Sequence, residues 1–147
     1  MAPLPPVATS EAELASRLRL VVTRLARRLR TQLPGEVSPS QLAALSSVER
    51  LGPLTLGELS NTERVKPPTM TKIVACLEEQ GLVSRTVDEK DRRVARVRPT
   101  RAGLRFLEES RQQKDAYLAE RLRSLPAADR AALERAADVL ERLLEES

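Results

Sequence analysis

Between Leu82 and Arg98 the hydrophobic pattern changes its period, from the three-to-four-residue repeat of a helix to the two-residue repeat of a strand. That switch limits the fold more than any other feature of the chain. Leu82 to Val87 and Val94 to Arg98 are short runs rich in Val, Thr and Arg, a composition that suits strands. Asp88-Glu89-Lys90-Asp91-Arg92-Arg93 separates them, a charged tip without a hydrophobe. Two such runs and their tip predict a β-hairpin.

The flanking segments are helical, and their start signals are legible. Ser10-Glu11-Ala12-Glu13 is a capping box, in which the Ser hydroxyl accepts from the amide three residues on and the Glu side chain reaches back. It opens a helix with Leu14, Leu18, Val21, Val22, Leu25 and Leu29 on one face, which Pro34-Gly35 is expected to end. Ser38-Pro39-Ser40-Gln41 is a second box with Pro at N1, where its missing N–H costs nothing. That helix runs to about Leu51, before Gly52-Pro53. Thr55-Leu56-Gly57-Glu58 is a third box and starts a short helix to about Asn61. Lys66-Pro67-Pro68 introduces a fourth through Glu79 or Gln80, after which Gly81 suits a left-handed cap with Leu82 folding back toward Leu77. Beyond the hairpin, Thr100 N-caps a long fifth helix broken at Leu125-Pro126, and a sixth carries Leu133, Ala136, Ala137, Leu140, Leu143 and Leu144 on one stripe.

Two short helices joined by a tight turn and followed by a hairpin predict a winged helix-turn-helix. The fold class is therefore mainly α with a small β-hairpin, with additional N- and C-terminal helices. Residues 1–9 read as a disordered N-terminal arm, 34–99 as the DNA-binding domain, and 10–33 and 100–147 as dimerisation helices. The terminal helices carry Leu, Ala and Val stripes that a lone chain would leave partly exposed, and a symmetry mate would cover them.

Composition removes most other functions. The chain has no histidine, which takes away the commonest general base and metal ligand together. Its single cysteine, Cys76, excludes an intramolecular disulfide framework. Phosphate-binding and nucleophile-elbow motifs are missing, and the pairs Glu78-Glu79, Glu108-Glu109 and Glu145-Glu146 read as solvated helix charge. No catalytic residue, metal or cofactor is implied, and an enzyme is not expected. No apolar run is long enough to span a membrane, and Met1 to Ser10 lacks the features of a signal peptide, so a cytoplasmic, nucleoid-associated protein is the expectation.

Charge distribution points to a polyanion. Arg85 to Arg105 contains eight basic and three acidic residues, whereas Phe106 to Ser147 contains seven basic and ten acidic. With Phe106 and Tyr117 the only aromatics, stacking on single strands has little to work with, and duplex DNA fits better. In the fourth helix, Met70, Ile73, Val74 and Leu77 form the buried stripe, which turns Thr69, Thr71, Lys72, Ala75 and Cys76 partly or wholly outward. Short polar side chains let a backbone approach a major groove, where Thr meets base edges or a thymine methyl and Lys reaches guanine or phosphate. Pro67 and Pro68 fix the entry of this helix, leaving the amides of Thr69 and Met70 for phosphate. At the hairpin tip, Arg92 and Arg93 can enter a minor groove, and Asp91 pairs internally with a basic residue to hold the shape. The candidate DNA contacts are Arg64, Pro68, Thr69, Thr71, Lys72, Arg92, Arg93 and Arg96, with Asp91 and Arg85 structuring the wing.

Together these residues resemble the MarR family, the multiple-antibiotic-resistance regulators. The likeness spans about Ser10 to Glu146. It is carried by Thr71-Lys72-Ile73-Val74, by Leu77 through Arg85, by the wing Asp88 to Arg93, and by Thr100-Arg101-Ala102-Gly103. The resemblance implies an obligate homodimer on a pseudo-palindromic operator, with recognition helices in successive major grooves and wing arginines in flanking minor grooves. It makes Arg93 the wing-tip arginine and Asp91 its structural partner. It further implies a repressor released by a small, often phenolic ligand bound between the dimer and DNA-binding parts. Pro99 departs from the family's usual Leu, and Cys76 does not match the N-terminal sensing cysteine of the peroxide-responsive branch. Two readings compete at this level, an architectural DNA binder without an effector and a winged-helix module that binds only protein.

Overall fold

The computed structural model describes residues 9–32, 35 and 37–146. Within them lie α1 (Glu11–Arg30), α2 (Pro39–Leu51), β1 (Leu54–Thr55), α3 (Leu56–Glu63), α4 (Pro67–Glu79), β2 (Val83–Val87), β3 (Ala95–Pro99), α5 (Arg101–Arg123) and α6 (Ala127–Glu145). The predicted arm falls almost wholly outside the described residues.

Local chemistry explains the boundaries. Both Ser10 and Ser38 form complete capping boxes, with Glu13 and Gln41 as the returning side chains. Thr55 accepts from the Glu58 amide at 3.1 Å. It forms only this half of the expected box, and it also belongs to β1, where it pairs opposite Arg96 in the sheet. The first helix stops at Arg30 with Thr31 as its cap, ahead of the Pro34-Gly35 stop expected from sequence; Pro34 lies outside the described residues. The third helix runs two residues past Asn61, to Glu63. It closes on Arg64 in the left-handed region at φ 53°, the one described non-glycine residue there.

The hairpin forms as read, with Arg85 opposite Val97 and Thr86 opposite Arg96. The sheet has a third strand that the sequence reading lacks: β1 pairs antiparallel with β3, giving the order β1-β3-β2. A two-residue strand is too short to display a period.

The core lies where α2, α3 and α4 meet the sheet and the first turns of α5. Leu45, Val48, Leu59, Met70, Val74, Leu77 and Val97 are all buried. Each such side chain contributes roughly 1.5–3 kcal/mol relative to exposure. By contrast α1 and α6 contain no buried residue. Leu14, Leu18, Val21, Val22 and Leu25 of α1, and Leu133, Val139 and Leu143 of α6, are exposed. Among the described residues no helix is long and apolar enough to cross a membrane.

Candidate nucleic-acid interface

The recognition helix is seated by its buried stripe. Met70, Ile73, Val74 and Leu77 face the core, as their spacing predicts. Thr69, Thr71, Lys72 and Ala75 are exposed on the opposite side, and Cys76 is half-buried. Pro67 and Pro68 open the helix without a side-chain cap on Lys66. The amides of Thr69 and Met70 are not free for phosphate, contrary to the sequence expectation. Both donate to the Lys66 carbonyl at 3.0 Å, so this helix start keeps its own donors. The Thr71 hydroxyl donates back along the helix to the Pro67 carbonyl at 3.0 Å, and the residue stays exposed. That bond uses the hydroxyl's one donor and leaves its oxygen able to accept.

The far end of α4 is locked. Leu82 N–H donates to Leu77 O and Gly81 N–H to Glu78 O, both at 2.9 Å, with Gly81 at φ 72°. These are the two bonds of a Schellman end, and they set the direction in which β2 leaves. Arg85 fixes that direction with a 2.5 Å ion pair to Glu78, across from β2 to the last turn of α4.

The wing is built on internal ion pairs. Asp91 Oδ1 accepts from both the backbone N–H and the Nε of Arg93 at 3.1 Å, and its Oδ2 accepts from Arg93 Nη2 at 3.3 Å. The Arg93 guanidinium holds the Asp91 carboxyl below its usual range. The Arg93 side chain is nonetheless 91% exposed, so its guanidinium is held along one edge and open elsewhere. Asp88 pairs with Arg96 at 2.7 Å, and that guanidinium, with the Lys90 backbone N–H, keeps the Asp88 carboxyl low. Arg96, expected among the DNA contacts, is thus half-buried and tied within the hairpin. Arg85, expected to structure the wing, pairs with Glu78 and so braces the hairpin's base. Arg92 and Arg64 are exposed, and Pro68 occupies the second position of α4.

A cavity of about 260 Å³, which no sequence pattern signals, lies between the end of α1, the start of α2 and the middle of α5. Arg30, Arg111 and Lys114 line it beside Leu42 and Leu107. Arg111 forms a two-pronged pair with Glu49 at 3.2 and 2.6 Å, which lowers the Glu49 carboxyl and raises the guanidinium. Lys114 is pushed down, first by burial and then by the charges of Arg111 and Arg30.

A helix-turn-helix whose second helix shows a polar outer face, followed by an arginine-tipped wing, defines a winged helix-turn-helix DNA-binding protein. The sequence profile of the MarR family matches residues 37–95. An uncharacterized HTH-type transcriptional regulator of Mycobacterium bovis is 40% identical over 139 residues, 94% of this chain and 97% of the relative. A MarR family protein from Bacillus stearothermophilus superposes with a TM-score of 0.74 at 33% identity, covering 91% of this chain and 94% of that one. A point mutant of Staphylococcus aureus MepR, bound to an oligodeoxyribonucleotide, shares the fold at a TM-score of 0.70 and 17% identity, covering 91% and 98%. The chain belongs to the MarR family of HTH-type transcriptional regulators, which are not enzymes.

Proposed function

We propose that the protein is a homodimeric, sequence-specific repressor that binds a pseudo-palindromic operator and is released by a small ligand. The observation that carries this reading is the exposed face of α4, where Thr69, Thr71 and Lys72 stand opposite the buried stripe. In a major groove Thr71 presents its methyl to thymine, and Lys72 reaches guanine acceptors or phosphate. Arg64 and Pro68 flank that face, with Arg64 on the phosphate backbone. Arg92 and Arg93 enter the adjacent minor groove, and Asp91 and Arg96 shape the wing that delivers them. The oligodeoxyribonucleotide held by the MepR mutant, on the same fold, supports DNA as the partner.

Dimerisation follows from the apolar faces of α1 and α6, in which no residue is buried. A two-fold mate that covers them also places two recognition helices on one face of the duplex, one helical turn or about 34 Å apart. The cavity between α1, α2 and α5 lies between the dimerisation helices and the DNA-binding part, and we assign the effector to it, aromatic acids included. Acting on chromosomal DNA, the protein works in the cytoplasm at the nucleoid.

Binding-site selection with the purified protein, combined with light scattering, tests the reading. The expected result is a dimer that enriches a two-fold symmetric site. A monomer, or no enrichment over random duplex, contradicts it.

A further inference from the structure

The first helix has a second face that neither the helix-turn-helix nor the dimer contact uses. Opposite its Leu and Val stripe α1 carries Arg17, Arg19, Arg24, Arg27, Arg28 and Arg30, all exposed. No acidic residue occurs from Leu14 to Gly35, and none of these arginines has a carboxylate partner among the described residues. Arg17 at least follows Glu13 by one turn. The last seven residues of the helix hold four arginines with no acid in reach of their own strand of sequence. Arg24, Arg27 and Arg30 succeed one another three residues apart, and Arg28 lies four from Arg24, spacings at which like charges repel across a helix surface. The helix dipole favours cations in the last turn only, and Arg24 precedes that turn. A concentrated, unpaired positive face of this kind is complementary to a polyanion.

The end of α1 lies beside the DNA-reading element. Arg30 lines a cavity of about 220 Å³ together with Glu63 at the end of α3, Val65 of the following turn and Met70 of α4. That is the end of α4 on which Thr69, Thr71 and Lys72 are exposed. Arg30 donates from Nε to the Ala26 carbonyl at 3.3 Å, a bond that leaves both Nη groups for another acceptor. The helix therefore runs from the dimer contact to the start of the recognition helix. In a two-fold dimer, two such arginine faces stand between the two recognition helices. Recognition helices set one helical turn apart in successive major grooves leave a minor groove facing the protein between them.

We propose that the end of α1 is a third DNA-contacting surface, on which Arg24, Arg27 and Arg30 neutralise phosphates bordering the minor groove at the operator's centre. This inference rests on the reading of the chain as a dimer on a two-fold operator, and adds a contact outside both the helix-turn-helix and the wing. It touches phosphate and no base edge, so it supplies affinity and salt dependence and leaves the central sequence free to vary. Arg17 and Arg19 lie roughly 16–20 Å back along the helix axis from Arg30 and stay clear of the duplex.

The test uses the full-length protein and its selected operator, and compares Arg24→Gln/Arg27→Gln with Arg17→Gln/Arg19→Gln. Both remove the same charge from the same helix. The first is expected to lower the slope of log affinity against log salt by roughly 3–4 units, the amount for four phosphates per dimer. It should also lose ethylation interference at phosphates between the half-sites while keeping that within them. Arg24→Lys/Arg27→Lys is expected to restore both readouts, and the Arg17→Gln/Arg19→Gln protein to match the wild type. Equal slopes for the two Gln variants, or central interference that survives Arg24→Gln/Arg27→Gln, overturns the proposal. Light scattering and circular dichroism accompany each titration. Dissociation of the folded Arg24→Gln/Arg27→Gln protein into monomers would assign this face to the acidic α6 of a second copy, and overturns the proposal as well. A wild-type protein that selects no operator contradicts the operator reading instead, and salt slopes on random duplex then still decide whether α1 meets phosphate.

Discussion

The hydroxyl of Thr100 donates a 2.6 Å hydrogen bond to the carbonyl of Gly81, joining the N-cap of the long fifth helix to the residue that closes the recognition helix. The same threonine donates its backbone N–H to Leu82 O at 3.0 Å and accepts from the Gly103 amide at 3.0 Å. Gly103 completes the joint, because a Cβ there would lie 2.1 Å from the Leu82 carbonyl oxygen. Thr-x-x-Gly is thus a rigid corner between α4 and α5.

Gly103→Ala forces a methyl against the Leu82 carbonyl and is expected to cost about 3 kcal/mol, the upper end of overpacking. Thr100→Val removes the cap and is expected to cost about 1 kcal/mol. Urea midpoints measure both. A neutral Gly103→Ala would show that the corner yields without strain.

Asp91 carries negative charge to the wing tip, where phosphates would repel it. Its role is to hold Arg93 by three hydrogen bonds. Asp91→Ala is therefore expected to weaken operator binding despite the gain in net positive charge. Arg93→Ala should weaken it further and reduce the slope of log affinity against log salt by about one unit. Anisotropy titrations across a salt series check both. Tighter binding by Asp91→Ala would make the carboxylate merely repulsive.

Arg64 holds φ 53° at the turn between α3 and α4, a conformation that costs an L-residue roughly 1–2 kcal/mol. Arg64→Gly is expected to raise stability by about 0.5 kcal/mol, after the larger backbone entropy that glycine loses on folding. Its operator affinity is expected to fall, because the exposed guanidinium is gone. The two effects move in opposite directions, so denaturation and binding measured on one variant separate backbone strain from DNA contact.

The Glu49–Arg111 pair fastens α2 to α5, and the guanidinium lowers the Glu49 carboxyl. A carboxylate depressed in the folded state stabilises fully above its unfolded value, about 4.3, and this contribution is lost as pH falls through the folded value. Glu49→Gln is expected to lose stability at neutral pH and to show a flatter stability profile on acidification below about pH 4.3. Thermal midpoints at several pH values test this. Parallel profiles for the two proteins would assign the acid sensitivity to other carboxylates.

Much of the fold was legible because local chemistry and burial agree. Ser10, Ser38 and Thr100 announce helix starts that form where expected, and the spacing of Met70, Ile73, Val74 and Leu77 identifies the buried side of α4. What escaped depends on register between distant segments. The partnership of Glu78 with Arg85 requires knowing how β2 leaves α4, and that of Asp88 with Arg96 requires the hairpin pairing. Lys66 claims the amides of Thr69 and Met70 through tight bonds at the helix start, a choice that Pro67-Pro68 does not encode by itself. The cations of the α1–α2–α5 cavity lie far apart in sequence, and only the packing of α5 against α1 and α2 brings Arg30 beside Lys114.

Thr69, Thr71, Lys72, Arg92 and Arg93 are proposed to read duplex DNA as a symmetric pair of surfaces, and everything else about the function depends on it. Hydroxyl-radical footprinting of the purified protein on its selected site, at physiological salt, is the decisive measurement. The expected pattern is two symmetric protected half-sites about 10 bp apart, with flanking minor-groove protection that disappears in Arg93→Ala. Uniform, sequence-independent protection, or flanking protection unchanged in Arg93→Ala, would contradict it.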